Sequence, residues 1–380
     1  MERTLFNEEH QIFRDQYRKF LQKEVQPQTE AWREAGIVPR DMFRKMGEQG
    51  FLVIWADETY GGLGMADFRY QQVMMEEDAT YSEAGFYHTL HSRLVAPYFK
   101  HFGNEEQQAR FLPKFISGES ILAIALTEPD AGSDLAGMKT RAQEKGDYWE
   151  LNGSKTYISN GINADVVVVA AKTNPDNPRK IGLFVVERGM AGFERGRNLK
   201  KLGLKAQDTA ELFFNNVKIP KENVLGDPQK GFPYLMQGLA EERLLGSVGY
   251  LASAQRAFVV TREYVKDRKA FGKTVADFQN TRFKMAEMRA ELDMAQVYVD
   301  HCVMAHNQDK LTADMAAKAK LLTSELECRM VDVGVQLHGG AGYMDEYEIC
   351  RLYANARISR IYAGSSEIMK EIIARSIFDV

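Results

Sequence analysis

The chain has 380 residues, 44% of them hydrophobic, more than one ordinary domain usually holds, so two or three packed units are expected. Its formal charge is −4, from 49 basic and 53 acidic residues, which lacks the basic excess of a nucleic-acid binder. No apolar run approaches the ~18 residues needed to span a bilayer, so stable membrane insertion is not expected.

The opening residues carry neither the apolar core of a secretory signal nor the acid-poor, Arg- and Ser-rich look of a transit peptide. A cytoplasmic protein is the expectation, and a processed protein of the mitochondrial matrix reads the same way. Residues 1–120 form a first, helical zone. Segments 8–25, 39–50, 67–79, 83–102 and 105–117 read as helices, separated by punctuation such as Tyr60-Gly61-Gly62.

Residues 121–230 change character. Asp147 to Glu150 leads into Asn152-Gly153, a strong hairpin-turn signal. Val166 to Ala171, Ile181 to Val186 and Leu212 to Phe214 are short β-rich runs, and Asn215-Asn216 reads as another turn. Strands at this spacing predict a compact, barrel-like or sandwich domain.

Residues 231–380 return to helix. Met285, Met288, Leu292, Ala295 and Val299 recur at steps of three and four, as do Leu322, Leu326, Met330, Val333 and Leu337. Such stripes suit an antiparallel, four-helix-type bundle and carry no chemistry of their own. The expected fold is therefore α+β, mainly α, with a β domain between two helical ones. Cys302, Cys328 and Cys350 are scattered and the seven histidines do not cluster, so no metal site is expected.

Five stretches have the makings of a site. Leu126-Thr127-Glu128-Pro129-Asp130-Ala131-Gly132-Ser133-Asp134 offers hydroxyls beside exposed amides, suited to a planar polar-edged ring or a phosphate, although a turn-rich linker looks alike. Lys155-Thr156-Tyr157-Ile158-Ser159-Asn160-Gly161 reads as a strand end with one aromatic and small polar groups, or as a half-buried edge strand. Arg268-Lys269-Ala270-Phe271-Gly272-Lys273, with Gln279 following, has the cations to grip a pyrophosphate, or is a solvated charge run. Gln336-Leu337-His338-Gly339-Gly340-Ala341-Gly342 ends a helix with more glycines than one C-cap needs. No strand precedes it, which excludes a Rossmann fingerprint. Arg360-Ile361-Tyr362-Ala363-Gly364-Ser365-Ser366-Glu367-Ile368-Met369 has a Gly/Ser break that starts a last helix.

In this order the motifs resemble the acyl-CoA dehydrogenase family, over essentially the whole chain. The likeness is nearest to the long-chain branch at Gly203-Leu204-Lys205-Ala206-Gln207-Asp208-Thr209-Ala210-Glu211-Leu212 and from Tyr264 to Val275. The resemblance implies FAD as cofactor and an acyl-CoA as substrate in fatty-acid β-oxidation. It implies an electron-transfer flavoprotein as acceptor and a homotetramer, or a homodimer, in which subunits share FAD. Ile124, Leu126, Thr127, Gly132 and Ser133 would line the flavin ring, with Tyr157, where the family commonly has Trp, and Ser159 against it. Arg268, Phe271, Gln279, Gln336, Gly339 and Gly340 of a neighbouring subunit would hold the pyrophosphate and adenosine. Ser365 and Glu367 match further FAD contacts. Ser133, Leu239, Arg243, Ala363 and Gly364 would meet the substrate.

Removing an α-proton from a thioester needs a carboxylate in a dry pocket, where burial raises its pKa. Many family members carry that glutamate just after the tyrosine of the fifth motif, where this chain has Ala363. Long-chain and isovaleryl members place it directly before the arginine of an earlier helix, and that residue is Glu242. Neighbours on a helix differ by about 100°, so only one of Glu241 and Glu242 faces the flavin. Glu242 shares its face with the small residues Gly246, Gly249 and Ser253, which predicts room for a ligand. Glu241 shares its face with Leu245, Val248 and Ala252, which predicts ordinary packing. Ala363 keeps its backbone N–H for the thioester oxygen. The expected reaction is α-proton abstraction by Glu242 with β-hydride transfer to FAD. The expected acyl group is of medium or long chain, with a branched short chain as the alternative. An acyl-CoA oxidase and a non-catalytic binding module are the competing readings.

Overall fold

The computed structural model describes residues 3–177 and 179–378. Met1 and Glu2, at the start of the opening segment, and Val380, at the end of the third zone, lie outside the described residues, as do Pro178 and Asp379.

Among the described residues, six α-helices precede the sheet: α1 (Glu8–Phe20), α2 (Thr29–Ala35), α3 (Arg40–Glu48), α4 (Phe68–Tyr81), α5 (Ala96–Phe102) and α6 (Glu105–Ile116). Asn7 caps α1 by accepting from the His10 backbone N–H, and Glu8 and Glu9 complement the positive helix end. Two of the expected helices change. The segment 8–25 runs from α1 into a wider π turn at Leu21–Val25, and α2, absent from the sequence reading, follows it. Residues 83–87 are not helical, so the segment expected over 83–102 begins at 88 and passes through a second π turn, Leu90–Val95.

The sheet comprises β1 (Leu122–Ala125), β2 (Arg141–Lys145), β3 (Tyr148–Ser159), β4 (Val166–Lys172), β5 (Ile181–Glu187), β6 (Phe193–Arg195), β7 (Thr209–Pro220) and β8 (Val224–Leu225). Its order is β6-β7-β3-β2-β4-β5-β8, with β1 parallel to β4. Among the described residues β2 pairs with β4 at Arg141↔Lys172 alone. Trp149 of β3 and Phe184 of β5 meet at 5.4 Å between ring centres, within a core drawn from both halves of the sheet. The even-numbered residues Val166, Val168 and Ala170 face the N-terminal helices, while Val167, Val169 and Ala171 face that inner core. Burial on both faces explains why β4 reads as an unbroken apolar run.

The two expected turns are one β-bulge. Asn152-Gly153 lies inside β3 and Asn215-Asn216 inside β7. The register steps from Leu151↔Val217 to Gly153↔Phe214, and Asn216 donates its backbone N–H to Asn152 Oδ1 at 2.9 Å. Gly153 serves close packing, since a Cβ there would come within 2.5 Å of Thr140 Oγ1. The hairpin turns instead at Gly146-Asp147, where Gly146 takes φ +75°.

The C-terminal part begins with α7 (Gly231–Asp267), 37 residues and about 55 Å long. A small hairpin, β9 (Lys269–Ala270) with β10 (Lys273–Thr274), precedes α8 (Gln279–Asn307), α9 (Ala313–His338), α10 (Glu348–Ala356) and α11 (Ser366–Phe378). Both expected stripes supply core: Met288, Leu292, Ala295, Val299, Leu326 and Met330 are buried in one cluster, while Leu322 faces outward. Among the described residues no helix is long and apolar enough to cross a membrane.

Candidate active site

Leu239, Glu241, Glu242 and Arg243 occupy the third and fourth turns of α7. The two acids have different surroundings. Glu241 is ion-paired with Arg93 Nε at 2.7 Å and hydrogen-bonded with His306 Nε2 at 3.0 Å. Burial works against its charge, but His306 and Arg93 outweigh it and hold the carboxyl below its ordinary value. The expectation of simple apolar packing for Glu241 is thus corrected: its partners Arg93 and His306 arrive from the 90s helix and α8, which local sequence does not reveal.

No hydrogen bond or ion pair reaches the Glu242 carboxylate among the described residues. Burial pushes it up to about 7, with Arg243 pulling the other way. Two phenols stand beside it. A Cβ on Gly238, one turn earlier, would lie 3.0 Å from the Tyr98 hydroxyl, and one on Gly246, one turn later, 2.7 Å from the Tyr250 hydroxyl. The Glu242 charge adds to the burial that raises both phenols. The small face after Glu242 is therefore occupied: Tyr250 covers Gly246, and Met75 covers Gly249, where a Cβ would sit 2.9 Å from its terminal methyl. A helical wheel shows which positions are small but not which distant or neighbouring side chain fills them.

The Tyr362-to-Ser366 loop meets this helix at Arg243. A Cβ on Gly364 would be 3.9 Å from Arg243 Nη2, and Arg243 is buried with no hydrogen-bond partner at Nε among the described residues. Ala363 and Gly364 take φ +54° and +92°. For alanine that conformation costs about 1 kcal/mol. The loop is held from α9. Glu325 accepts from Ser366 Oγ and pairs with Arg360, both at 2.7 Å, and Lys320 Nζ donates to the Gly364 carbonyl at 2.7 Å. Burial, with Arg243 nearby, brings the fully enclosed Lys320 down to about 8. Lys320 shares its helix face with Ala316, Ala317 and Thr323, all buried, and this was a readable signal, since charge on a buried stripe needs a buried partner.

In the sheet, the first and second motifs dock on each other. Thr127 accepts from the Thr156 backbone N–H at 2.9 Å, and Lys155 Nζ reaches the Leu126 carbonyl at 2.9 Å and Glu128 Oε1 at 2.8 Å. Glu128 also accepts from the backbone of Lys139 and Thr140. This buried pair, missed in the sequence, fixes the loop carrying Thr127, Gly132 and Ser133. Ile124, Leu126, Thr127 and Ser159 are half-buried, while Gly132, Ser133 and Tyr157 are exposed. Tyr157 takes φ +59° where the β3–β7 register breaks, and the bulge turns its ring out, 70% exposed. The β2 pairing of β3 ends at Asn152, so the second motif pairs with β7 on one side and is covered on the other by the Thr127 loop.

At the far end of α7, Tyr264 stacks on His338 at 4.1 Å and donates to its carbonyl at 3.1 Å. This contact brings the Arg268–Phe271 hairpin beside the end of α9. Arg268, Phe271, Gln279, Gln336, Gly339 and Gly340 are all exposed, and nothing lies within 4 Å of a Cβ on either glycine. No hydrogen bond or ion pair joins this group to Thr127, Tyr157 or Ser159 among the described residues. Ser365 accepts from the Ile368 backbone N–H at 3.4 Å at the start of α11, and Glu367 is exposed beside it.

A three-part chain of this order, with a half-buried, unpaired carboxylate next to the arginine that meets a clamped, strained loop, has the organisation of an oxidoreductase of the acyl-CoA dehydrogenase class. Family models described as acyl-CoA dehydrogenase N-terminal, middle and C-terminal domains match residues 7–119, 123–217 and 229–378, and the chain belongs to that family, whose members are flavoproteins. It is 47% identical to the mitochondrial long-chain specific acyl-CoA dehydrogenase of Sus scrofa over 378 residues, 99% of this chain and 88% of that one. It is 36% identical to the mitochondrial isovaleryl-CoA dehydrogenase of Pongo abelii, covering 97% and 89%. A crystal structure of an acyl-CoA dehydrogenase from Geobacillus kaustophilus superposes with a TM-score of 0.97 at 47% identity, covering 99% of this chain and 100% of that one.

Proposed function

We propose that this enzyme oxidises an acyl-CoA to its trans-2-enoyl-CoA with FAD, and that Glu242 is the base. The observation that carries this reading is the contrast on α7: Glu241 is engaged by Arg93 and His306, while the half-buried Glu242 has no ion-pair partner among the described residues and is poised near neutrality. Glu242 takes the α-proton, and Arg243, beside Gly364, binds the substrate's CoA portion. Leu239 and Ser133 line the substrate's path. The Ala363 N–H, held by the loop that Lys320 and Glu325 anchor, donates to the thioester oxygen as charge develops there.

The residues fit FAD. The upturned Tyr157 with Ser159, Thr127, Leu126, Ile124 and Gly132 offers a ring platform with polar edges. The open backbone at Gly339 and Gly340, with Arg268, Phe271, Gln279 and Gln336, suits a pyrophosphate and adenosine. Ser365 and Glu367 complete the contacts. When bound, FAD supplies the acceptor for the β-hydrogen as hydride. The separation of the two groups within one chain supports FAD shared between subunits of a homotetramer, or a homodimer, with an electron-transfer flavoprotein as oxidant. Long-chain relatives support a straight medium or long acyl group. The filled face beyond Glu242 favours a shorter one, such as the branched acyl group of the isovaleryl relative. Purified enzyme titrated anaerobically with butyryl-, isovaleryl-, octanoyl- and palmitoyl-CoA should lose its flavin absorbance with at least one. A colourless protein that takes up no added FAD contradicts the reading.

A further inference from the structure

We propose that Tyr250 is the side chain by which this enzyme limits the length of the acyl group, a reading that rests on Glu242 marking the position of the substrate's α-carbon. From that point an acyl chain following α7 runs over Gly246, Gly249 and Ser253, the positions four, seven and eleven residues on. Tyr250 is 6% exposed and folds back along its own helix, so that its hydroxyl occupies the place of a side chain at 246. The obstruction lies one turn, about 5.4 Å, beyond Glu242.

The position of Tyr250 is fixed from several sides. Its ring lies 6.0 Å from that of Tyr362, whose hydroxyl is 3.0 Å from the Tyr87 hydroxyl. Beyond it Glu327, 4% exposed, lies against Ser253 and Ser359. Tyrosine has only two side-chain torsions, and its ring is rigid. Met75, the other group on this face, has a flexible thioether that yields to a ligand. Gly246 and Tyr250 are therefore complementary: residue 246 has no side chain because the phenol fills its space, and removing the phenol opens a channel shaped by glycine.

The test compares wild type with Tyr250→Ala, Tyr250→Leu and Tyr250→Phe. Two readouts are taken on the FAD-loaded enzyme: the rate of flavin reduction by saturated acyl-CoAs, and the affinity for S-alkyl-CoA thioethers from butyl to hexadecyl. The thioethers lack the acidic α-proton, so their binding reports the channel without the chemistry. Tyr250→Ala should move the optimum at least two methylenes longer and tighten the thioethers beyond it about tenfold, the value of burying those methylenes. Tyr250→Leu should move it the same way by less, and keeps the test open if alanine prevents folding. Tyr250→Phe should keep the wild-type profile, because bulk rather than the hydroxyl is the obstruction. Unchanged profiles in the alanine and leucine variants, or a shifted one in the phenylalanine variant, would overturn the proposal. Wild-type flavin that no acyl-CoA reduces would instead sink the dehydrogenase reading, and thioether binding would still decide the role of Tyr250.

Discussion

Arg93 Nε lies 2.7 Å from a carboxylate oxygen of Glu241, and this pair separates the roles of two adjacent acids. With Glu241 committed to Arg93 and His306, Glu242 is left with no hydrogen bond or ion pair at its carboxylate among the described residues. Breaking a buried pair by removing one partner costs roughly 3–5 kcal/mol. Glu241 is a quarter exposed, so Glu241→Gln should destabilise by about 2 kcal/mol in urea unfolding while flavin reduction by substrate persists. A Glu241→Gln enzyme of native stability whose flavin is no longer reduced would reverse the assignment.

The pH dependence of flavin reduction should follow Glu242. Its folded value is about 7, raised by burial. Below that pH the carboxyl holds a proton and accepts none, so the rate should rise with pH through about 7 and level off above it. Stopped-flow reduction under saturating substrate measures this. A rate that is flat across that range assigns proton removal to another group.

Lys155 and Glu128 should control cofactor retention. The pair is buried, and desolvation brings Lys155 down to about 8 against the pull of Glu128. Lys155→Met leaves Glu128 charged and buried without its cation, at a cost of about 3 kcal/mol. The loop bearing Thr127 should loosen, and FAD content after gel filtration should fall well below wild type. Full FAD occupancy in the variant would detach this pair from the cofactor site.

Glu327 predicts a pH dependence of stability with a definite sign. Burial raises its carboxyl from 4.5 to about 8, only partly offset by Ser253 and Ser359. Between those values the folded chain holds a proton that the unfolded chain has lost. Stability from this group is full below 4.5 and is lost as pH rises toward about 8. Glu327→Gln should therefore raise Tm little near the bottom of that window and most near its top. A Tm difference independent of pH means that Glu327 is already ionised.

Much of the fold was legible because burial imprints period on sequence. The stripes of α8 and α9 and the unbroken apolar run of β4 are examples. What misled was local chemistry overruled by pairing. Asn152-Gly153 and Asn215-Asn216 have turn composition, yet opposite one another they make a bulge, and no single segment reveals its partner strand. The site followed the same pattern. Glu242 emerged from the resemblance to long-chain and isovaleryl members, which place their base directly before the arginine, with its small-residue face as lesser support. Tyr98, Tyr250, Arg93 and Lys320, which shape its surroundings, lie on other turns or other helices, where only the folded chain brings them together.

The most direct measurement is flavin reduction in Glu242→Gln. The amide keeps the shape of the side chain but takes no proton. With FAD bound and substrate saturating, the variant's flavin absorbance should persist while wild type loses it, by a factor of at least about 1,000 in rate, within the range a general base supplies. Reduction at close to the wild-type rate would contradict the account and remove Glu242 from the proton chemistry.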